Sequence, residues 1–456
     1  MRILLSQWVK TNSIILVNAG SLVGTTAVTS VLGFVYWWVA ARQFLPQAVG
    51  FASAATSAMM LLATCGELGL NTLLVGELPR QRGREASLIS AALITVGGMG
   101  GCLGIIFAAV ASYLSHDFQI LRTSIGSIAL FAAGVSLTAV TLVLDQATIG
   151  LLRGGLQLFR NIFFAGAKLA ALVVVSLWLT HLSGLTIYAT WVFGSALSLA
   201  VLSGLVISKV GWPNRSYLPK WGLLRNLGLA ALKHHALNLT LSAPSMILPV
   251  LVTIVLSATT NAWFFVSWSL GGVGNIVSSA LTVTLYAVSS AQPRVLARKL
   301  RLTLSLAFLA TVLADCVLLL GTRQVLGLFG HSYAEQAAWS LRILAVESFP
   351  FIIKNHYIAV SRIQGRVAHA TLVAIAGGIL ELGGAVLGAR LGGLSGLSLG
   401  WFAAVCIEAV CMSRTVYRAA RPIDVSTGTD EPWQSMPYHD SPCVIDTLAN
   451  EPGLGQ

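Results

Sequence analysis

Ten charged side chains stand inside stretches of the chain that are otherwise apolar: Glu67, Asp145, Lys168, Lys233, Asp315, Arg342, Glu347, Lys354, Glu381 and Glu408. Each costs roughly 2.5–3.5 kcal/mol at the centre of a membrane helix on insertion scales, and less near an end. Lys233, Arg342 and Glu408 lie close enough to an end for their charged tips to reach the interface. Lys168, Lys354, Asp145 and Glu347 do not, so they are expected to face the protein interior or a water-filled cavity. A buried carboxylate beside a buried ammonium can simply fix the packing of two helices. Ten such groups in one chain fit a polar cavity better.

Two stretches concentrate these groups. One holds Arg342, Glu347, Pro350, Lys354 and His356. Glu347 and Lys354 are seven residues apart, hence on one helix face, and Pro350 between them removes the hydrogen bond to the Val346 carbonyl and kinks the helix. The other runs from Lys233-His234-His235 to Pro244 and Pro249, which are expected to bend it and free carbonyls near Thr240 and Ser245. Adjacent histidines point to different faces, so a shared metal site is not expected. No metal motif, Walker motif or nucleophile–base constellation occurs, and neither catalysis nor a cofactor is expected. Cys65, Cys102, Cys316, Cys406 and Cys411 read as small buried hydrophobes, and Cys443 lies near the C-terminus without metal-ligand spacing.

The elements that must position these groups follow from composition. Hydrophobic residues make up 56% of the 456, charged residues 10%, and the mean hydropathy is +0.80. A soluble surface needs roughly 25% charged residues. Apolar runs near 20 residues, each able to cross about 30 Å of hydrocarbon, recur along almost the whole chain. In lipid the backbone must satisfy itself, so the runs are helices. They fall near 13–40, 48–74, 87–114, 121–149, 157–180, 185–208, 230–257, 261–288, 302–321, 335–361, 367–389 and 393–417. The fold class expected is therefore all-α, a polytopic membrane protein of about twelve transmembrane helices. The first run is too long, and too poorly followed by small residues, to be a cleaved signal peptide.

Lys and Arg in the loops set the orientation. Twenty fall on the side of the N-terminus and four, Arg42, Arg122, Arg323 and Arg390, on the other. Both termini are thus expected to be cytoplasmic, in a bacterial inner membrane. The net charge of +12 is mainly this topology signal, spread over many short loops, and no nucleic-acid partner is expected.

The chain divides into two halves. Asn18 and Asn238 open matching helix pairs, closed by Leu78-Pro79-Arg80 and Gln292-Pro293-Arg294 at offsets of 220 and 214 residues. The expected division is an N-terminal six-helix bundle over 1–208, a cytoplasmic linker over 209–229, a C-terminal six-helix bundle over 230–420 and a tail over 421–456. Six spans per half give a parallel repeat about an axis along the membrane normal, and such repeats favour a cleft between the bundles. Gly97, Gly100, Gly101 and Gly104, and again Gly384, Gly388, Gly392, Gly396 and Gly400, sit at spacings that let helices approach closely. Tyr36, Trp37 and Trp38 read as an interfacial belt. Residues 422–456 hold five prolines, six acids and no Lys or Arg, a composition expected to be disordered.

Three stretches carry a resemblance. Ala41-Arg42-Gln43-Phe44-Leu45-Pro46 with Gly50 links the first two helices, and Gly69-Leu70 leads to Leu78-Pro79-Arg80. Asp145, Gly150-Leu151-Leu152-Arg153, Gln157 and Arg160-Asn161 form a hairpin before Lys168. In these stretches and in its layout over residues 10–420 the chain resembles the polysaccharide (Wzx-type) flippases of the multidrug/oligosaccharidyl-lipid/polysaccharide (MOP) exporter superfamily. It departs from that pattern at Gln47-Ala48, where an acidic residue commonly follows the loop proline.

The resemblance implies a MATE-like fold and transfer of a polyprenyl-pyrophosphate-linked oligosaccharide across the inner membrane. That step belongs to the biosynthesis of a surface polysaccharide such as O-antigen, exopolysaccharide or capsule. The bilayer, a polysaccharide polymerase and glycosyltransferases are the implied partners. A cavity holding Lys168, Lys233, Arg342 and Lys354 offers counter-charge to the dianionic head group in a low dielectric. Asp145, Glu347, Glu67 and Glu381 are then expected to hold the cations in place or couple ions. Two rivals stand beside this reading: a multidrug exporter of the same superfamily, with an acid-dominated cavity, and an O-antigen polymerase or ligase, with a long outer loop.

Overall fold

Nearly every residue described in the computed structural model is helical, because an apolar backbone in lipid has no other way to pair its polar groups. The description covers residues 13–80, 83–178, 183–210, 221–291 and 295–421; within it the side chains of 13–27, of 221–234 and of a few further positions are left aside. Gln292-Pro293-Arg294, Cys443 and the tail beyond Arg421 lie outside the described residues, as do the expectations that rest on them.

The helices run α1 (Ser13–Gln43), α2 (Pro46–Gly66), α3 (Leu70–Glu77), α4 (Glu85–Leu114), α5 (Ile125–Gly150), α6 (Gly154–Trp178), α7 (Gly184–Val210) and α8 (Trp221–Val255). They continue as α9 (Ala258–Gly271), α10 (Val273–Ala291), α11 (Leu296–Leu320), α12 (Thr322–Gly327), α13 (His331–Gln336), α14 (Ala338–Val346), α15 (Ser348–Ile363) and α16 (Val367–Ala420). Among the described residues nine helices are long and apolar enough to cross a membrane, and α9 with α10 form one more span bent by 45°. Helix α16 is two spans, broken where Gly392 and Gly393 leave helical geometry. Helix α1 is 31 residues long, more than the length needed to cross a bilayer.

Large apolar side chains cover the outside of these helices. On α11 the residues Leu306, Leu309, Leu313 and Val317 all point outward and are well exposed. A surface built of leucine and valine is stable in lipid and not in water. Small residues fill the helix contacts. Gly97, Gly100 and Gly104 of α4 sit against Ser136, Val135 and Ala132 of α5, and the Ser136 hydroxyl donates to the Gly97 carbonyl at 2.8 Å. In the same way Gly384 and Gly388 face the backbone of Gly400 and Gly396 across the hairpin of α16. Both contacts follow the glycine spacing in the sequence.

The two halves meet mainly along α2, which packs on α8 and α9. Gly50 lies directly on the Ala258 carbonyl, where no side chain would fit. Asn261 donates to the Gly50 carbonyl at 2.8 Å and to the Ser53 hydroxyl at 2.9 Å. The Asp117 carboxylate accepts the Ala258 amide at 2.7 Å, capping α9 from the other half. Arg42 and Trp38 both donate to the Leu328 carbonyl. All these contacts lie at the end of the molecule that carries the turns near 44, 116, 257 and 328. Beyond the bend at Gly272, α10 leaves this seam and packs on α11 and α15.

Candidate functional site

Two sets of buried charged residues make ion pairs among the described residues, Lys354 with Glu381 and Glu408, and Arg160 with Asp145. In the C-terminal half, α15 presents Lys354 to the two arms of α16. Its ammonium donates to Glu381 and lies 2.9 Å from a carboxylate oxygen of Glu408. Glu347, at the junction of α14 and α15, accepts the Trp401 indole N–H at 2.7 Å. The chain breaks at Glu347 and restarts with Pro350 in the first turn of α15, where its missing N–H leaves no intrahelical bond unmade. A cavity of about 200 Å³ opens onto this group, lined by Glu347, Lys354, Glu381, Trp401, Asn275 and Pro244 among others. Two carboxyl groups, Glu381 and Glu408, therefore share one ammonium, and a third, Glu347, lines the same cavity.

The N-terminal half holds the second group. Asp145 of α5 and Arg160 of α6 flank the tight turn at 151–153, so an antiparallel hairpin brings them face to face. Arg160 grips Asp145 with two parallel bonds, 2.7 and 2.6 Å, and Asn161 adds a third at 2.9 Å. This pair is buried and electrically complete. Lys168, two turns further along α6, is different. Only 5% exposed, its ammonium stands 3.4 Å from the centre of the Trp191 ring and within about 5 Å of the Tyr36 and Phe164 rings. No carboxylate among the described residues lies within ion-pair distance of it. The Tyr36 hydroxyl bonds Thr190 at 2.7 Å and donates to the Ile187 carbonyl at 3.0 Å, which fixes the cage.

The residues singled out from sequence are thus separated into distinct surroundings. Lys354, Glu347 and Glu381 come together; Lys168 and Asp145 stand in the other half, apart from them and from each other. Arg342 lies over the exposed Trp339 ring, outside both groups. The Lys233 side chain lies outside the described residues. Glu67 is buried at the break between α2 and α3, where Leu68 and Gly69 take left-handed backbone, and it accepts from the Asn71 amide. Asp315 is buried on α11 with neither oxygen bonded among the described residues. Pro244 and Pro249 stay inside a continuous α8, and the Pro244 ring fills the space beside Gly378.

Several expectations are corrected by this geometry. Glu408 does not reach the interface; it is buried against Lys354, because the α16 hairpin wraps its far arm around α15. Tyr36 is not an interfacial residue but fully buried, its hydroxyl tied to α7. Cys102, Cys316 and Cys411 face outward, where a small apolar thiol is compatible with lipid. Arg160, counted from sequence as a loop charge, is the buried partner of Asp145. The near-symmetric placement of the two about the Leu151-Leu152-Arg153 turn is the sequence signal that could have found it. Trp191 and Trp401 carry no such signal, since indoles recur throughout the chain.

No protein-family model and no curated relative match this chain. Solved structures do. The inward-facing conformation of a multidrug resistance MATE family transporter of the MOP superfamily aligns with a TM-score of 0.67 and 14% identity, over 87% of this chain and 98% of that one. The outward-facing conformation of a transporter so described aligns with a TM-score of 0.56 and 12% identity, over 89% and 96%. A MOP superfamily transporter from Pyrococcus furiosus, whose binding pocket is described as reversed in polarity, gives 0.58 and 12%, over 90% and 96%. At such identities the likeness is one of architecture: the fold of this chain is that of the MATE-type membrane transporters of the MOP superfamily.

Proposed function

We propose that the protein carries a polyprenyl-pyrophosphate-linked oligosaccharide from the cytoplasmic to the periplasmic leaflet of a bacterial inner membrane, by alternating access between its two halves. The reading is supported above all by Lys168, a membrane-embedded ammonium with aromatic neighbours and no acidic partner among the described residues. A cation kept unpaired at that cost has a use for an anion that arrives from outside the fold. At 4 Å and an effective dielectric of 20, one such pair is worth about 4 kcal/mol. A pyrophosphate head group would supply the anion, the sugar would travel in the wet space between the halves, and a polymerase would receive the product. With both termini cytoplasmic, the contacts between α1, α2, α9 and the Leu328 turn close the periplasmic end.

A second reading, a multidrug exporter, draws support from the C-terminal cavity. Three carboxyl groups around Lys354 leave two negative charges unbalanced if all ionise, and protons or an organic cation would balance them. In the first reading the same group couples transport to an ion. The two readings separate in cells. With Lys168→Gln, surface polysaccharide is expected to fall about tenfold or more while the protein still inserts at normal level. Its lipid-linked precursor should accumulate on the cytoplasmic leaflet. Normal surface polysaccharide with Lys168→Gln, and lost resistance to cationic drugs with Glu381→Gln, would favour the exporter.

A further inference from the structure

A second feature of the N-terminal half lies on its membrane-facing side. Helices α6 and α7 enclose an apolar groove of about 790 Å³, floored by Gly166, Ala167, Ala170 and Ala171 of α6 and Ala189 of α7, and walled by Phe193. Small residues are an unusual choice for a face turned to bulk lipid. Where α11 meets lipid it carries Leu306, Leu309, Leu313 and Val317. Glycine and alanine on a membrane-facing surface let a neighbour approach closely, because they recess the helix and cost little side-chain entropy. No helix among the described residues fills this groove.

The position of Lys168 indicates what does. It belongs to the same stretch of α6 as Ala167, Ala170 and Ala171 but points away from the groove lining, its amine among the Tyr36, Phe164 and Trp191 rings. Gly194 of α7 packs on its Cβ. Thr190 lines the groove and bonds the Tyr36 hydroxyl, and the Tyr36 ring in turn covers the ammonium. Thr190 and Tyr36 thus stand between the apolar recess and the Lys168 amine, which has no acidic partner among the described residues. A helix of a second copy would have no use for that charge. An amphiphile with an anionic head on a long hydrocarbon chain matches both parts. We propose that the groove between α6 and α7 seats the polyprenyl chain of the transported lipid while its anionic head lies against Lys168. The proposal rests on the reading of the substrate as lipid-linked, and it places the tail on the bundle surface instead of leaving it free in the bilayer. Binding exchanges the cation–π contacts of Lys168 for a charge-assisted bond to phosphate.

The test uses the full-length protein in nanodiscs and a polyprenyl diphosphate carrying a mid-chain diazirine. After photolysis the labelled peptides are mapped by mass spectrometry. Labelling is expected to concentrate in residues 163–197. It should be competed about tenfold by unlabelled polyprenyl diphosphate and not by phosphatidylglycerol, and drop comparably in Ala170→Phe and in Ala171→Phe. Both substitutions lie on the membrane-facing side, and an unchanged melting temperature confirms that they fold. Labelling spread evenly over all lipid-facing helices, including 302–320, as a diazirine phospholipid would give, overturns the proposal. So does cross-linking of two copies through Ala170→Cys. Translocation assays separate the two failures. An Ala170→Phe or Ala171→Phe protein that moves lipid-linked oligosaccharide as well as the wild type refutes the groove alone. A wild-type protein that moves none refutes the function and with it the groove.

Discussion

Lys354 and Lys168 carry the same side chain into opposite surroundings, and substitution should separate them. Lys354 balances Glu381 and Glu408, so Lys354→Ala strands buried carboxylates; breaking such a pair costs about 3–5 kcal/mol. Lys354→Ala combined with Glu381→Gln should recover a good part of that loss. Lys168 balances nothing among the described residues, so Lys168→Met should keep or raise stability while transport falls. Thermal melting in detergent, read beside transport, checks both. A Lys168→Met protein that melts well below wild type would mean that the cation is a structural element. The sequence makes the presence of these charges plain, since ten ionisable groups cannot hide in apolar runs. It does not make their pairing plain. Lys354 meets acids 27 and 54 residues away, on the two arms of a hairpin whose crossing depends on glycines further along.

Helices were the most legible level, because the length of hydrocarbon fixes the length of an apolar run. Hydropathy alone places the apolar runs, and the break of α16 at Gly392 and Gly393 falls where the sequence reading separates the runs 367–389 and 393–417. Internal breaks were less legible. The interruption of α2 and α3 at Leu68-Gly69 and the bend at Gly272 depend on backbone geometry that a hydropathy profile averages away. The hairpin itself supports a prediction. Gly388 meets the backbone of Gly396, so Gly388→Leu must push the two arms apart. Overpacking of this kind costs about 1–3 kcal/mol, and here it should also loosen the hold of Glu381 and Glu408 on Lys354. The measurement is the melting temperature of Gly388→Leu beside Gly383→Leu, whose site is open. Equal melting of the two would remove the close-crossing argument.

The whole molecule is arranged so that one end is sealed by specific contacts across the halves while α10 turns away from the seam. Gly50 is the tightest point of that seal, since any side chain there meets the Ala258 carbonyl. Gly50→Leu should therefore wedge that end apart. In a cysteine-free background carrying Ser257→Cys, a membrane-impermeant maleimide added from that side should then react about tenfold faster. An unchanged rate would place the gate elsewhere. Charge distribution and gate are the two features on which the proposed carriage of a lipid-linked anion rests. The most direct test is purified protein in liposomes with a fluorescent polyprenyl-pyrophosphate oligosaccharide, run beside an organic cation. Wild-type protein is expected to move the lipid-linked sugar between leaflets, Lys168→Gln to do so about tenfold more slowly or worse, and neither to move the cation. Movement of the organic cation at a rate indifferent to Lys168, with the lipid-linked sugar left in its original leaflet, would contradict the account.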